Sequence, residues 1–111
     1  MAYDEDLADR MRELLAGTPG LTEQKMFGGL GFMIGGNMAI GASGQGGALV
    51  RVDPTRSDKI VETTKARLME MRGRQMAGWL RVDSDDLKTK RQLERWVTLG
   101  SDYAKSLPPK R

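Results

Sequence analysis

The sequence predicts one α+β domain over residues 1–111. It consists of an antiparallel sheet of five to six strands with flanking helices, in the order α, three or four strands, α, two strands, α. Three observations carry this reading. Apolar residues recur at a helical period near both ends of the chain. Glycine-punctuated stretches between them alternate with the period of two that strands require. Helix-start signals separate two such alternating blocks.

The first element is an amphipathic helix at about 4–16. Leu7, Met11, Leu14 and Leu15 share one face. Asp4 is placed to cap it, Glu5 and Asp6 suit the positive end of the helix dipole, and Gly17 and Pro19 end it. Residues 23–53 hold nine glycines among short apolar runs, a density no helix tolerates. Lys25–Gly28 reads as a short leading strand. Leu30, Phe32 and Ile34 then alternate with Gly31, Met33 and Gly35. Gly35-Gly36-Asn37 supplies a tight turn, Met38–Gly41 is the return strand, and 48–53 is the next.

Asp53-Pro54 opens a second helix at about 54–66, with a narrow stripe of Ile60, Val61 and Thr64. A second hairpin follows, Leu68–Arg72 against Trp79–Val82, with its turn between Gly73 and Gly78. Asp83-Ser84-Asp85-Asp86 opens the last helix, which Pro108-Pro109 end. That helix gathers Leu93, Trp96, Val97, Gly100, Tyr103, Ala104 and Leu107 on one side. The mid-helix Gly100 predicts close packing on the sheet.

Composition excludes much chemistry. The 111 residues include no cysteine and no histidine. Disulfides, thiolate or imidazole metal sites, cysteine nucleophiles and histidine-centred triads are therefore ruled out. No apolar run reaches the ~18 residues of a membrane span, and the acidic N-terminus does not read as a signal peptide. The expected compartment is the cytoplasm. Net charge is +3, but the first 50 residues are acidic on balance and the rest basic. A polyanion, if bound, would meet the second half.

Lys25-Met26-Phe27-Gly28-Gly29, then Gly31-Phe32, then Leu49-Val50-Arg51-Val52-Asp53, then the run from Met69 to Val82 with its Met-Arg-Gly-Arg core, occur in an order that resembles the TfoX/Sxy N-terminal domain family. The resemblance spans nearly the whole chain. It implies a secretion-chaperone-like α+β fold with a curved antiparallel sheet. Full-length members regulate natural competence genes and are thought to act with the cyclic-AMP receptor protein. They also carry a C-terminal helical domain, so a chain ending at Arg111 is expected to be the N-terminal domain standing alone. The resemblance carries no catalytic residues.

The glycine-rich stretch lacks the Gly-Lys-Ser/Thr of a phosphate loop and the third glycine of a dinucleotide fingerprint, and it reads as hairpin turns. Asp83, Asp85 and Asp86 miss the calcium-loop spacing and read as helix capping. Ser43 has no base beside it in the sequence. The expectation is a non-enzyme without cofactor or metal, a regulatory module acting through protein contacts, with transcription machinery as the implied setting.

The alternative is weak electrostatic DNA binding. Arg72, Arg74 and Arg81 of the second hairpin and Lys88, Arg91 and Arg95 of the last helix are the candidates. They converge if hairpin and helix lie side by side; otherwise they are a solvated face. The two tryptophans read as core-facing. The eight methionines are either adaptable core filling or the lining of a face that binds a partner helix or another copy. Alternation puts Met33, Met69 and Met71 on one face of the sheet and Leu30, Phe32, Ile34 or Leu68 on the other. Two apolar faces predict a two-fold homodimer.

Overall fold

A computed structural model describes residues 3–26 and 28–109. Helix α1 is Glu5–Leu15. Strands β1 (Leu21–Met26), β2 (Gly29–Ile34), β3 (Asn37–Ala42) and β4 (Ala48–Arg51) follow, then α2 (Ser57–Thr63), β5 (Arg67–Met71), β6 (Arg74–Val82) and α3 (Lys90–Ser106). The six strands form one antiparallel sheet in the order β1-β2-β3-β4-β6-β5. The predicted class and element order are those of the molecule.

Local chemistry explains the well-placed elements. The Asp4 carboxylate accepts from the Leu7 N–H at 3.1 Å, and Gly17 takes the positive φ that closes α1. Gly35 and Gly36, at φ of 60° and 82°, make the two-residue turn between β2 and β3. Gly100 lies against the backbone of β3. A Cβ there would run into the Ala39 carbonyl, with its carbon 2.8 Å away. Ala39 is the extra residue of a bulge, since Phe32 pairs with Ile40 and Met33 with Met38. The glycine and the bulge together let α3 seat deeply.

Four boundaries differ from expectation. The leading strand is Leu21–Met26 rather than Lys25–Gly28. Asp53 does not cap α2 directly: its carboxylate binds the Thr55 N–H and hydroxyl, and the helix begins after that turn, at Ser57. The second hairpin turns at Arg72-Gly73, with Arg72 itself left-handed at φ 54°. Residues 74–76 belong to the strand, and Ala77, Gly78 and Trp79 are inserted before pairing with β5 resumes. Finally, Asp83–Asp86 is not the start of α3. Ser84–Asp86 is a separate 3-10 turn, and Thr89 starts the helix with a reciprocal Thr89–Gln92 capping box.

All three helices pack on one face of the sheet. α3 crosses β2, β3 and β4, α1 rests on β3 and α3, and α2 covers β5 and β6. Leu7, Met11, Leu15, Phe32, Ile40, Val50, Leu80, Val82, Leu93, Trp96 and Val97 form the continuous core between the layers. None of the described helical residues joins the second apolar cluster, on the opposite face.

Candidate functional site

Strand alternation forces a second apolar surface. Where Leu30, Phe32 and Ile34 point to the helices, Gly31 and Met33 point away. Register carries that face across the sheet: Met33 pairs with Met38, Gly41 with Leu49, and Leu49 with Arg81. Met33, Met38 and Leu49 are buried there at 8%, 2% and 7% exposure, with Met26, Met69 and Trp79 packed against them. Met26 belongs to edge strand β1 and Met69 to edge strand β5, yet both line the same small cavity with Met38 and Leu49. The sheet is therefore strongly curled, and this face is its concave side. By register, Met71 and Met76 extend it along the β5–β6 hairpin. The methionines placed on this side by the sequence are thus on it. Trp79, expected in the core, is instead half-buried here.

The glycine motif makes room for these thioethers. A Cβ on Gly31 would lie 2.7 Å from the Met26 sulfur and 3.4 Å from that of Met38. A Cβ on Gly44 would lie 2.6 Å from the Gly28 carbonyl oxygen, so the loop after β3 packs directly on the β1–β2 turn. Of the motif residues, Gly28, Gly29, Gly31 and Met26 shape the concave face and its end. Lys25 is exposed at the edge. Phe27 lies outside the described residues.

Charge on this face has one sign. Strand positions facing it carry Arg51, Arg67, Arg74 and Arg81 and, among the described residues, no Asp or Glu. Arg51, at the end of β4, reaches round the end of the sheet: its guanidinium stacks 5.2 Å from the Trp79 ring on this side and 5.6 Å from the ring of Tyr103 in α3 on the other. Arg81 donates to the Gln45 side chain and to the Gly46 carbonyl. Arg67 pairs with Asp83 at 2.7 Å, its only carboxylate contact among the described residues.

The six basic candidates do not converge. Arg81 lies on the concave face. Arg72 and Arg74 sit at the exposed β5–β6 turn. Lys88 precedes α3 and reaches Asp85 at 3.5 Å. Only Arg91 and Arg95 share a site, and their neighbours are residues that sequence reasoning did not single out. These are Arg56 and Lys59 of the second helical segment, across a cleft of about 550 Å³ floored by Ile60 and Leu99. Helix α2 stands between Arg91 and the hairpin because it, not α3, covers β5 and β6. The i, i+3 spacing of Arg56 and Lys59 was the available signal, but their meeting with α3 is tertiary.

The acidic cluster is engaged in ion pairs. Asp83 binds Arg67, Asp85 binds Lys88, and Asp86 lies 4.0 Å from Lys65. Among the described residues no group of acidic side chains is arranged to hold a metal ion. The shifted carboxylates lie elsewhere. The Arg12 hydrogen bonds, opposed by partial burial and aided by its charge, hold Glu23 below the usual range. The Thr55 backbone and hydroxyl do the same for Asp53. None of the described helices is long and apolar enough to cross a membrane.

None of the curated proteins compared gives a significant match. The family model described as the TfoX N-terminal domain matches residues 13–104, from the last turns of α1 almost to the end of α3. That span contains the whole sheet and both of its faces, and the chain belongs to the TfoX N-terminal domain family.

Proposed function

We propose that this domain is a non-enzymatic interaction module that works through protein contacts in the cytoplasm, in the setting of transcription regulation. Its partner surface is the concave methionine face. The observation that supports this is the pairing of an apolar floor with a predominantly basic frame, in which Arg67 is paired with Asp83 and Glu70 lines an edge recess with Arg67 and Arg81. Methionine side chains adapt to different partner shapes at low cost. By register, Arg51, Arg74 and Arg81 flank them, and no acid of the described strand residues points to the same face. The chemistry that fits is an amphipathic segment whose apolar side meets the half-buried Met26, Met69, Met71, Met76 and Trp79 around the buried Met33, Met38 and Leu49 and whose flanks carry Asp or Glu. A second copy placed face to face would set these arginines against one another, so the homodimer is the weaker occupant.

Methionine-methyl NMR tests this directly. An amphipathic helical peptide with glutamate flanks should shift Met26, Met69, Met71 and Met76 most, Met33 and Met38 beneath them less, and leave Met11, in the core, unmoved. The same peptide with lysine flanks should not bind, and Arg51→Glu with Arg81→Glu should abolish the response. Shifts at Met11 alone, or equal binding of both peptides, would reject the reading. Light scattering showing a mass twice 12.3 kDa would assign the face to a second copy instead.

A further inference from the structure

The cleft between α2 and α3 is a separate feature, on the helical side of the molecule, and the concave face does not account for it. Arg56 and Lys59 stand one helical turn apart on one wall, Arg91 and Arg95 one turn apart on the other. All four are exposed, and none lies within ion-pair distance of a carboxylate among the described residues. Glu94 is the one acid lining the cleft, against four cations. Cations on facing helices repel one another; Arg56 has Asp53 and Asp102 in the adjoining recess, which leaves Glu94 as the one acid lining the cleft beside Lys59, Arg91 and Arg95. On the other flank of α3, Arg10 of α1 reaches the Lys88 and Thr89 carbonyls and lines a second recess with Lys90 and one acid, Glu13. Basic groups thus wrap both sides of the first half of α3.

We propose that this cleft is a binding track for the phosphodiester backbone of a nucleic acid duplex. Guanidinium groups bind phosphate oxygens bidentately. The cleft is open, and no buried polar group or backbone cradle closes around a small anion, so a repeating polyanion fits better than a free phosphate. Ile60 and Leu99 are its only aliphatic residues, and four cations stand around them. No aromatic residue lines it, so bases have nothing to stack on and binding reads backbone, not sequence.

The test is fluorescence anisotropy with a labelled mixed-sequence DNA duplex at 50 and 200 mM salt. Four phosphate contacts predict a slope of log K against log salt of roughly −3.6, a loss of about 150-fold across that range. Arg91→Glu with Arg95→Glu should weaken binding at least tenfold and flatten the slope by about 2. Arg72→Glu with Arg74→Glu changes net charge equally and should leave affinity within about threefold. The neutral pair Arg91→Gln and Arg95→Gln, checked for an unchanged thermal melt, covers the case in which the reversals disturb α3. Absence of wild-type binding at 50 mM salt would overturn the proposal. So would equal losses in the two double reversals, or competition by polyglutamate as effective as by unlabelled duplex. Peptide binding at the methionine face is read separately and does not bear on these outcomes.

Discussion

The two faces of the sheet are both apolar and are built on different principles. The covered face is Phe32, Ile40, Val50, Leu80 and Val82 against Leu93, Trp96 and Val97, residues with few rotamers interlocked at close range. The concave face is methionine over glycine, side chains with three free torsions resting where Gly31 and Gly41 leave space. Shape-specific packing on one side fixes the fold. Adaptable packing on the other leaves a surface that can change partners without disturbing it.

The largest expected difference is between Phe32→Ala and Met38→Ala. Both side chains are almost wholly buried, at 0% and 2% exposure. Phe32→Ala should cost about 3–5 kcal/mol, because its rigid neighbours cannot close the cavity. Met38→Ala should fall near the low end for its type, about 2 kcal/mol, since Met26, Met33 and Met69 can move in. Urea melts of the two variants measure this. Equal losses would mean that the methionine face is packed as rigidly as the core.

Gly100→Ala comes next. In an exposed helix this change gains about 1 kcal/mol. Here the new methyl meets the Ala39 carbonyl, and backbone cannot swing aside as a side-chain tip can. A net loss of about 2–3 kcal/mol is expected, in the range of overpacked cores. Gly31→Ala makes an overlap on the other face, but against the Met26 sulfur at 2.7 Å. A thioether can rotate away, so about 1 kcal/mol should be lost. Thermal melts of both variants compare a backbone obstacle with a yielding one.

What could be read from the sequence was what is local. Asp4, Gly17 and the Gly35-Gly36 turn lie beside the elements they delimit, and the class, the strand count and the two-faced alternation followed. The errors arose where a local signal had a rival. Asp83, Asp85 and Asp86 outweighed the quieter Thr89-x-x-Gln92 box, which is the true helix start. Arg72 was not a turn candidate because left-handed φ is costly for a side chain other than glycine. Trp79 reads as core on its apolar character alone, although its alternation with Leu80 and Val82 turns it to the opposite face from them. The candidate surfaces were legible in proportion. Methionine alternation revealed one face, whereas the Arg56, Lys59, Arg91 and Arg95 cleft depends on α2 lying beside α3.

The smallest effect concerns the rim of the covered face, where α1 is tied to the sheet edge. Arg12 binds both carboxylate oxygens of Glu23 in β1, at 2.6 and 2.8 Å, and also Asp9 at 2.5 Å. Glu23 therefore loses its proton more readily in the folded chain than in the unfolded one. A depressed carboxylate contributes stability that is full at neutral pH and is lost as pH falls below the ordinary carboxylate range through the folded-state value. Both partners are substantially exposed, so solvent screens the pair and the contribution is modest. Melting temperature should decline between pH 5 and pH 3, and Glu23→Gln should lower the pH 7 value slightly and make that decline shallower, so that the two curves converge at low pH. Met38→Leu, on the concave face, should shift the whole curve without altering its slope, because no carboxylate belongs to that cluster among the described residues. A Glu23→Gln curve parallel to wild type would place the acid sensitivity elsewhere, with Asp53 and its Thr55 hydrogen bonds the next group to test by Asp53→Asn.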